Sequence, residues 1–280
     1  MKNIVVGIDF SENAYNAMRH AVAIAIKTEG IIHLVWVKTP GASQNVVKEN
    51  SQDYAKSAEK KLNELVKQCK AEAPSCEVRG IILEGKVSTQ LTTFVSNLSD
   101  ATLVIGTHGI SGFEELFVGS NAFKAINISK QPILILREGV DVNRDLINIL
   151  APIDSSFDTL QKMKHAIAYA QAFNAKLLLV GLTRNNKEDR HTIKVQLKHA
   201  KNMCDDANIR YDTNEIEVKD NVAEKLIKYA VSKEANLMVI MRENDSNSDY
   251  WMSSDTRQLI NLAPMPMMVI PNVNYFVVEK

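Results

Sequence analysis

Between Ile105 and Ala122 the chain reads Gly106-Thr107-His108-Gly109-Ile110-Ser111-Gly112-Phe113-Glu114-Glu115-Leu116-Phe117-Val118-Gly119-Ser120-Asn121. Glycines let a backbone approach phosphate oxygens closely. The N–H groups of Gly119, Ser120 and Asn121, at the start of a helical pattern, supply donors and a favourable dipole. Ser120 adds a hydroxyl. Phosphate binding is the chemistry this arrangement suits. No Gly-Lys-Ser/Thr occurs, so the lysine that meets the terminal phosphates in a Walker A loop is missing and rapid hydrolysis is not implied. A second candidate is Asp9, which closes the apolar run of residues 3–8 two positions before Ser11. Its carboxylate can contact a ligand or simply bond its own turn. His108 reads as a solvated side chain, since nothing in the sequence sets a nucleophile beside it.

These residues need a scaffold, and the hydrophobic pattern provides one. Apolar runs at 3–8, 31–37, 77–83, 102–105 and 132–136 alternate with helical patterns at 11–27, 51–73, 87–97 and 120–129. Ser11 is the expected N-cap of the first helix. The order βαβαβαβαβ predicts a parallel sheet with helices on both faces. In such sheets ligands bind beyond the carboxyl ends of the strands, where the strand order reverses. Asp9 and the glycine loop both fall at such ends.

The pattern then repeats. Asn3-Ile4-Val5-Val6-Gly7-Ile8-Asp9-Phe10-Ser11 is echoed by Asn148-Ile149-Leu150-Ala151-Pro152-Ile153-Asp154-Ser155-Ser156, and His20-Ala21 stays in register with His165-Ala166. A period of this length is a duplicated domain. The boundary is expected in the polar stretch 139–144, giving domains at 1–140 and 146–280. Copy two predicts strands at 147–153, 176–182, 211–217, 236–241 and 266–270, and the run Tyr275-Phe276-Val277-Val278 could add an edge strand. The stretch in copy two that answers the glycine loop, residues 241–255, holds no glycine and carries Glu243, Asp245, Asp249 and Asp255. Added Cβ atoms and negative charge predict a degenerate phosphate site that keeps Asp154. Asp245-Ser246-Asn247-Ser248-Asp249 imitates the opening of an EF-hand, but Tyr250 and Thr256 stand where Gly and Glu are required. The two copies are expected to pair as an internal pseudo-dimer through the apolar runs 132–136 and 266–270, with Met265, Met267 and Met268 suiting an irregular interface.

The spacing Gly-x2-Gly-x9-Gly-Ser, together with Asp9, resembles the ATP-binding signature of the universal stress protein family. The resemblance covers essentially the whole chain as a tandem two-domain member, although its diagnostic residues lie only in copy one. It implies an α/β fold of two tandem doubly wound parallel-sheet domains, adenine nucleotide alpha hydrolase-like, with a five-stranded sheet each. It also implies ATP, with or without Mg2+, as the ligand. Gly106, Gly109, Gly119 and Ser120 would hold phosphates and ribose, Asp9 would lie near the adenosine, and Val37 would read adenine through its backbone.

Composition narrows the remaining classes. The 280 residues carry 33 Lys plus Arg against 33 Asp plus Glu, so no net field draws the chain to nucleic acid or an anionic membrane. No leader-like or membrane-length apolar run is apparent, which predicts a cytoplasmic address. Cys69, Cys76 and Cys204 lack CxxC spacing and read as reduced thiols rather than disulfides or zinc ligands. The leading expectation is a nucleotide-tuned regulator in stress response, not an enzyme, with one site per chain and unidentified protein partners; a homodimer is compatible with it. The alternatives are a nucleotide-free interaction scaffold and an ATP-using enzyme of related fold. That enzyme would show Ser-Gly-Gly-x-Asp-Ser after strand one, where Gly7-Ile8-Asp9-Phe10-Ser11 stands.

Overall fold

The computed structural model describes residues 2–39, 51–107, 119–137, 145–184, 186–219, 221–242 and 254–272. The chain divides into two compact units, Met1–Arg144 and Asp145–Lys280. Among the described residues, unit 1 runs β1 (Asn3–Ile8), α1 (Glu12–Thr28), β2 (Ile31–Lys38), α2 (Ser51–Glu72), β3 (Val78–Glu84), α3 (Val87–Ser96), β4 (Ala101–Gly106), α4 (Ser120–Ile128) and β5 (Ile133–Leu136). Unit 2 runs β6 (Asn148–Ile153), α5 (Met163–Phe173), β7 (Lys176–Thr183), α6 (Lys187–Asp206), β8 (Tyr211–Glu217), α7 (Val222–Ser232), β9 (Leu237–Met241), α8 (Ser254–Leu262) and β10 (Met267–Ile270). The α/β alternation expected from the sequence is present in both. The run 275–278 lies outside the described residues.

Strand order in unit 1 is β3-β2-β1-β4-β5 and in unit 2 β8-β7-β6-β9-β10. Pairing within each unit is parallel. The chain therefore winds outward in one direction through β3 and then returns to start again at β4. That reversal puts the switch point between β1 and β4, and in unit 2 between β6 and β9. Central strands covered on both faces must be apolar at every position. Accordingly Ile4, Val5 and Val6 in β1 and Leu103 and Val104 in β4 are fully buried, as are Ile149, Leu150 and Ala151 in β6. The outer strands β3 and β8 are different. They bury none of their residues fully, and charged pairs tie them to their neighbours: Lys38 to Glu84 at 3.9 Å, and Lys176 to Asp212 at 2.6 Å.

Helix α1 lies close to its sheet because its inner face is small. Ala14, Ala17, Ala21 and Ala25 are all buried, with Met18, Val22 and Ile24 filling between them. Ser11 caps its start: Oγ accepts from the Ala14 N–H at 3.2 Å and donates to Asp9 Oδ1 at 2.6 Å. The helix ends at Glu29 in the left-handed conformation, φ 52°, whose N–H reaches the Ala25 carbonyl. Unit 2 keeps the residue register but not the helix start. Where the repeat would begin α5 at Phe157, residues 157–162 form turns, and α5 starts at Met163.

This difference gives a test. Ser11→Ala should cost about 1 kcal/mol, because it removes a side-chain cap from a helix N-terminus. Ser156→Ala should cost clearly less, because no helix begins there. Thermal unfolding of the two variants measures the contrast, and equal losses would contradict it.

Candidate functional site

At the unit 1 switch point the strand ends enclose a cavity of about 220 Å³. Its walls come from β1 (Gly7, Ile8), the turn at Asp9 and Ser11, β2 (Val35 to Val37), α3 (Val87, Leu91), β4 (Ile105, Gly106) and the head of α4 (Gly119 to Ala122). Of the site residues predicted from sequence, Asp9, Val37, Gly106, Gly119, Ser120 and Asn121 thus line one cavity. Gly109 and His108 lie outside the described residues. Sequence reading missed the apolar recess made by Gly7, Val87, Leu91 and Ile105. The signal was available, since β6, α7 and β9 repeat it as Pro152, Val222, Leu226 and Ile240.

Each predicted residue has a local reason for its place. Asp9 Oδ1 accepts from the Ser11 N–H at 2.9 Å and from Ser11 Oγ, so one carboxylate oxygen holds the turn together. The turn is closed by Phe10 in the left-handed region, φ 64°, uncommon for an aromatic residue. Its ring packs at 6.3 Å from Trp36 with Lys61 Nζ 5.8 Å from its centre. Val37 sits where β2 outruns β1. The β1–β2 register ends at Ile8↔Trp36, while β2–β3 continues to Lys38↔Glu84. Beyond Trp36 the β1 side of β2 faces the cavity instead of a strand, which leaves a backbone edge where a planar ring could be read.

The two described glycines of the loop do different work from each other. A Cβ on Gly106 would stand 2.9 Å from Asn13 Cβ and 3.0 Å from the Asn13 carbonyl, so this glycine admits the main chain of α1. A Cβ on Gly119 would stand 2.9 Å from the Thr107 carbonyl oxygen, which already accepts the Gly119 N–H. Gly119 is also the N-cap of α4 and offers no side-chain cap, so the first N–H groups of α4 open toward Ser120 and Asn121, both exposed. The geometry offers anion-facing donors at one end and an apolar recess at the other.

Unit 2 has a cavity of about 290 Å³ in the corresponding place. Asp154 repeats the Asp9 turn, accepting from the Ser156 N–H at 2.8 Å and from Ser156 Oγ. Other groups are new. Lys162, 2% exposed, stands where the repeat register has Ala17, and its Nζ donates to the Thr159 carbonyl at 2.7 Å and hydroxyl at 3.0 Å. Burial works against the Asp189 carboxylate. Hydrogen bonds from the Ser155 hydroxyl and the Arg184 N–H, with the Arg184 charge, nonetheless hold it below the usual carboxylate range. A lysine on the buried face of a helical repeat was the readable sign that this site had been rebuilt. The glycine-free stretch 243–253 lies outside the described residues.

Elsewhere the chain shows little that competes. The three cysteines are free and buried, and burial pushes the thiols of Cys69 and Cys204 up to about 12 and about 11. Among the described residues no group of three or more His, Cys, Asp or Glu could hold a metal, and no helix is long and apolar enough to cross a membrane.

Two doubly wound α/β domains in tandem, each with a cavity at its switch point, define the structural class. The family model for the universal stress protein family matches residues 1–137 and 147–271. Universal stress protein MJ0531 of Methanocaldococcus jannaschii is 25% identical over 145 residues, spanning 49% of this chain and 82% of that protein. In fold, the chain is similar to a universal stress protein from Archaeoglobus fulgidus, with a TM-score of 0.77, 16% identity and 97% of each chain covered. It is also similar to the functionally unknown protein PA1789 of Pseudomonas aeruginosa, with a TM-score of 0.65, 13% identity and 97% and 92% of the two chains covered. The chain belongs to the universal stress protein family, as a tandem two-domain member.

The close approach at Gly106 is directly testable. Gly106→Ala places a methyl against the main chain of α1, a clash costing about 1–3 kcal/mol. Urea unfolding should show a lowered midpoint, and an unchanged one would mean that α1 shifts freely.

Proposed function

We propose that unit 1 binds ATP, one molecule per chain, and that nucleotide occupancy tunes the protein as a cytoplasmic regulator in stress response. The observation that carries this reading is the single cavity that joins the open β2 edge at Val37, the Asp9 turn and the uncapped head of α4. Adenine would fill the recess of Gly7, Val87, Leu91 and Ile105, with the Val37 backbone at its polar edge. Asp9 keeps a second carboxylate oxygen for ribose hydroxyls. Gly106, Gly109, Ser120 and Asn121 would take the phosphates through N–H groups and the Ser120 hydroxyl, in the manner of helix N-termini that bind anions, while Gly119, whose N–H is held by the Thr107 carbonyl, would set the entry to α4 beside them. Mg2+, where present, would arrive chelated by the phosphates.

Binding here does not entail turnover. A loop that contacts phosphates without a lysine or a base aimed at water binds ground and transition states alike. We further propose that the two domains pair as an intramolecular pseudo-dimer. The fully apolar runs of β5 and β10 and the methionines at 265, 267 and 268 support this.

Two outcomes are expected. Calorimetry should give one ATP per chain, lost in Val87→Trp, which fills the recess from a half-buried position, with hydrolysis well below the enzyme median of about 10 per second. Two equivalent ATP sites, or normal binding by Val87→Trp, would refute the assignment, and an absence of any ATP binding would favour the scaffold reading. Separately, residues 1–140 expressed alone should be less stable or self-associate; a stable monomer with full ATP affinity would rule out the pairing role.

A further inference from the structure

We propose that the cavity of unit 2 binds a nucleoside of the adenosine type that carries no phosphate. This rests on the reading of the first cavity as an adenine nucleotide site, and on which half of that site unit 2 has kept.

The base end is preserved at three of the four recess positions, with Pro152 standing where unit 1 has Gly7. Val222 opens α7 as Val87 opens α3, and Leu226 and Ile240 line the second recess where Leu91 and Ile105 line the first. The strand geometry recurs as well. The β6–β7 register ends at Ile153↔Gly181, while β7–β8 continues to Thr183↔Glu217. Leu182 therefore borders the cavity at a backbone edge that no longer faces β6, just as Val37 does beyond β1. The carboxylate end of the recess is preserved too, since Asp154 is held by Ser156 as Asp9 is held by Ser11. A flat ring with a hydroxylated sugar would meet the same surfaces in both units.

The phosphate end is not preserved. The last residue of β4 is Gly106, but the last residue of β9 is Met241, buried and lining the cavity. The second residue of α4 is Asn121, but the second residue of α8 is Asp255, whose carboxylate already answers the positive end of that helix and repels a second anion. The cations in the wall do not reverse this. Lys162 is bonded to Thr159 within its own turn, and Arg184 is exposed beside Asp189. Three carboxylates, Asp154, Asp189 and Asp255, stand against these two cations among the described lining residues. An anion gains no net attraction there, whereas an uncharged nucleoside needs none.

The test is calorimetry on the full chain with adenosine, ATP and inorganic phosphate as separate probes. Wild type should take two equivalents of adenosine and one of ATP. Val222→Trp should lose one adenosine equivalent and keep ATP, and Val87→Trp should lose ATP and one adenosine equivalent while keeping the other. Asp154→Asn gives the same readout without adding bulk, weakening the second adenosine site at least tenfold. A single adenosine equivalent indifferent to Val222→Trp and Asp154→Asn would overturn the proposal while leaving the ATP assignment standing. A second ATP equivalent, or inorganic phosphate displacing adenosine from the Val222-dependent site, would overturn it in favour of an anion site. ATP binding nowhere, with a Val222-dependent adenosine site retained, would overturn the unit 1 assignment and support this one.

Discussion

The main chain of α1 rests directly against the end of β4, and this contact is possible only because residue 106 has no side chain. Everything at the unit 1 switch point follows from that approach. With α1 pressed down, Ser11 can cap the helix and hold Asp9 at once, and the Asp9 carboxylate is fixed over the end of β1. Gly106 is thus a packing residue. A glycine chosen for backbone contact also leaves its own surroundings open to a ligand.

Unit 2 shows what happens when that constraint is released. Met241 at the end of β9 takes up space, and the corresponding helix loses its opening turns: residues 157–162 form turns before α5. Thr159 and Lys162, both buried, stand where the repeat register has Ala14 and Ala17. Burying an ammonium is costly unless its hydrogen bonds are supplied, and the Thr159 carbonyl and hydroxyl supply two of them. Lys162 and Met241 line one cavity, although they lie far apart in sequence. The fold tolerates these changes because the strands β6 and β9 remain buried along their length apart from the first residue of β6.

Much of this was legible in the sequence. Strand and helix alternation and the duplication follow from periodicity, and the strands fall within a residue or two of where apolar runs place them, whereas the strand order that locates the switch point came from the structure. Asp9 and Gly119 were legible because turn and loop chemistry is local. The recess of Val87 and Leu91 left only a weak trace, its repetition as Val222 and Leu226, because apolar residues that line a cavity look like apolar residues that fill a core until their enclosure at the strand ends is seen. The role of Gly106 was read as phosphate approach, and its contact with Asn13 depends on a helix more than ninety residues earlier, which no spacing encodes. Asp154 looked like a relic, and only the cavity around it gives the carboxylate something to face.

The charged outer strands have a consequence for the protein as a material. A parallel sheet is an open-ended lattice, and an outermost strand with free backbone groups is a template on which another chain can add. Duplication of such a domain doubles the number of templates in one polypeptide. In β3 and β8 that growth is blocked by charges at Arg79, Glu84, Asp212, Glu215 and Glu217, several of them anchored to partners on neighbouring elements. Any incoming strand would have to strip water from these groups and break their pairs. Each unit therefore carries, at its outer strand, charges that oppose the addition of a further strand.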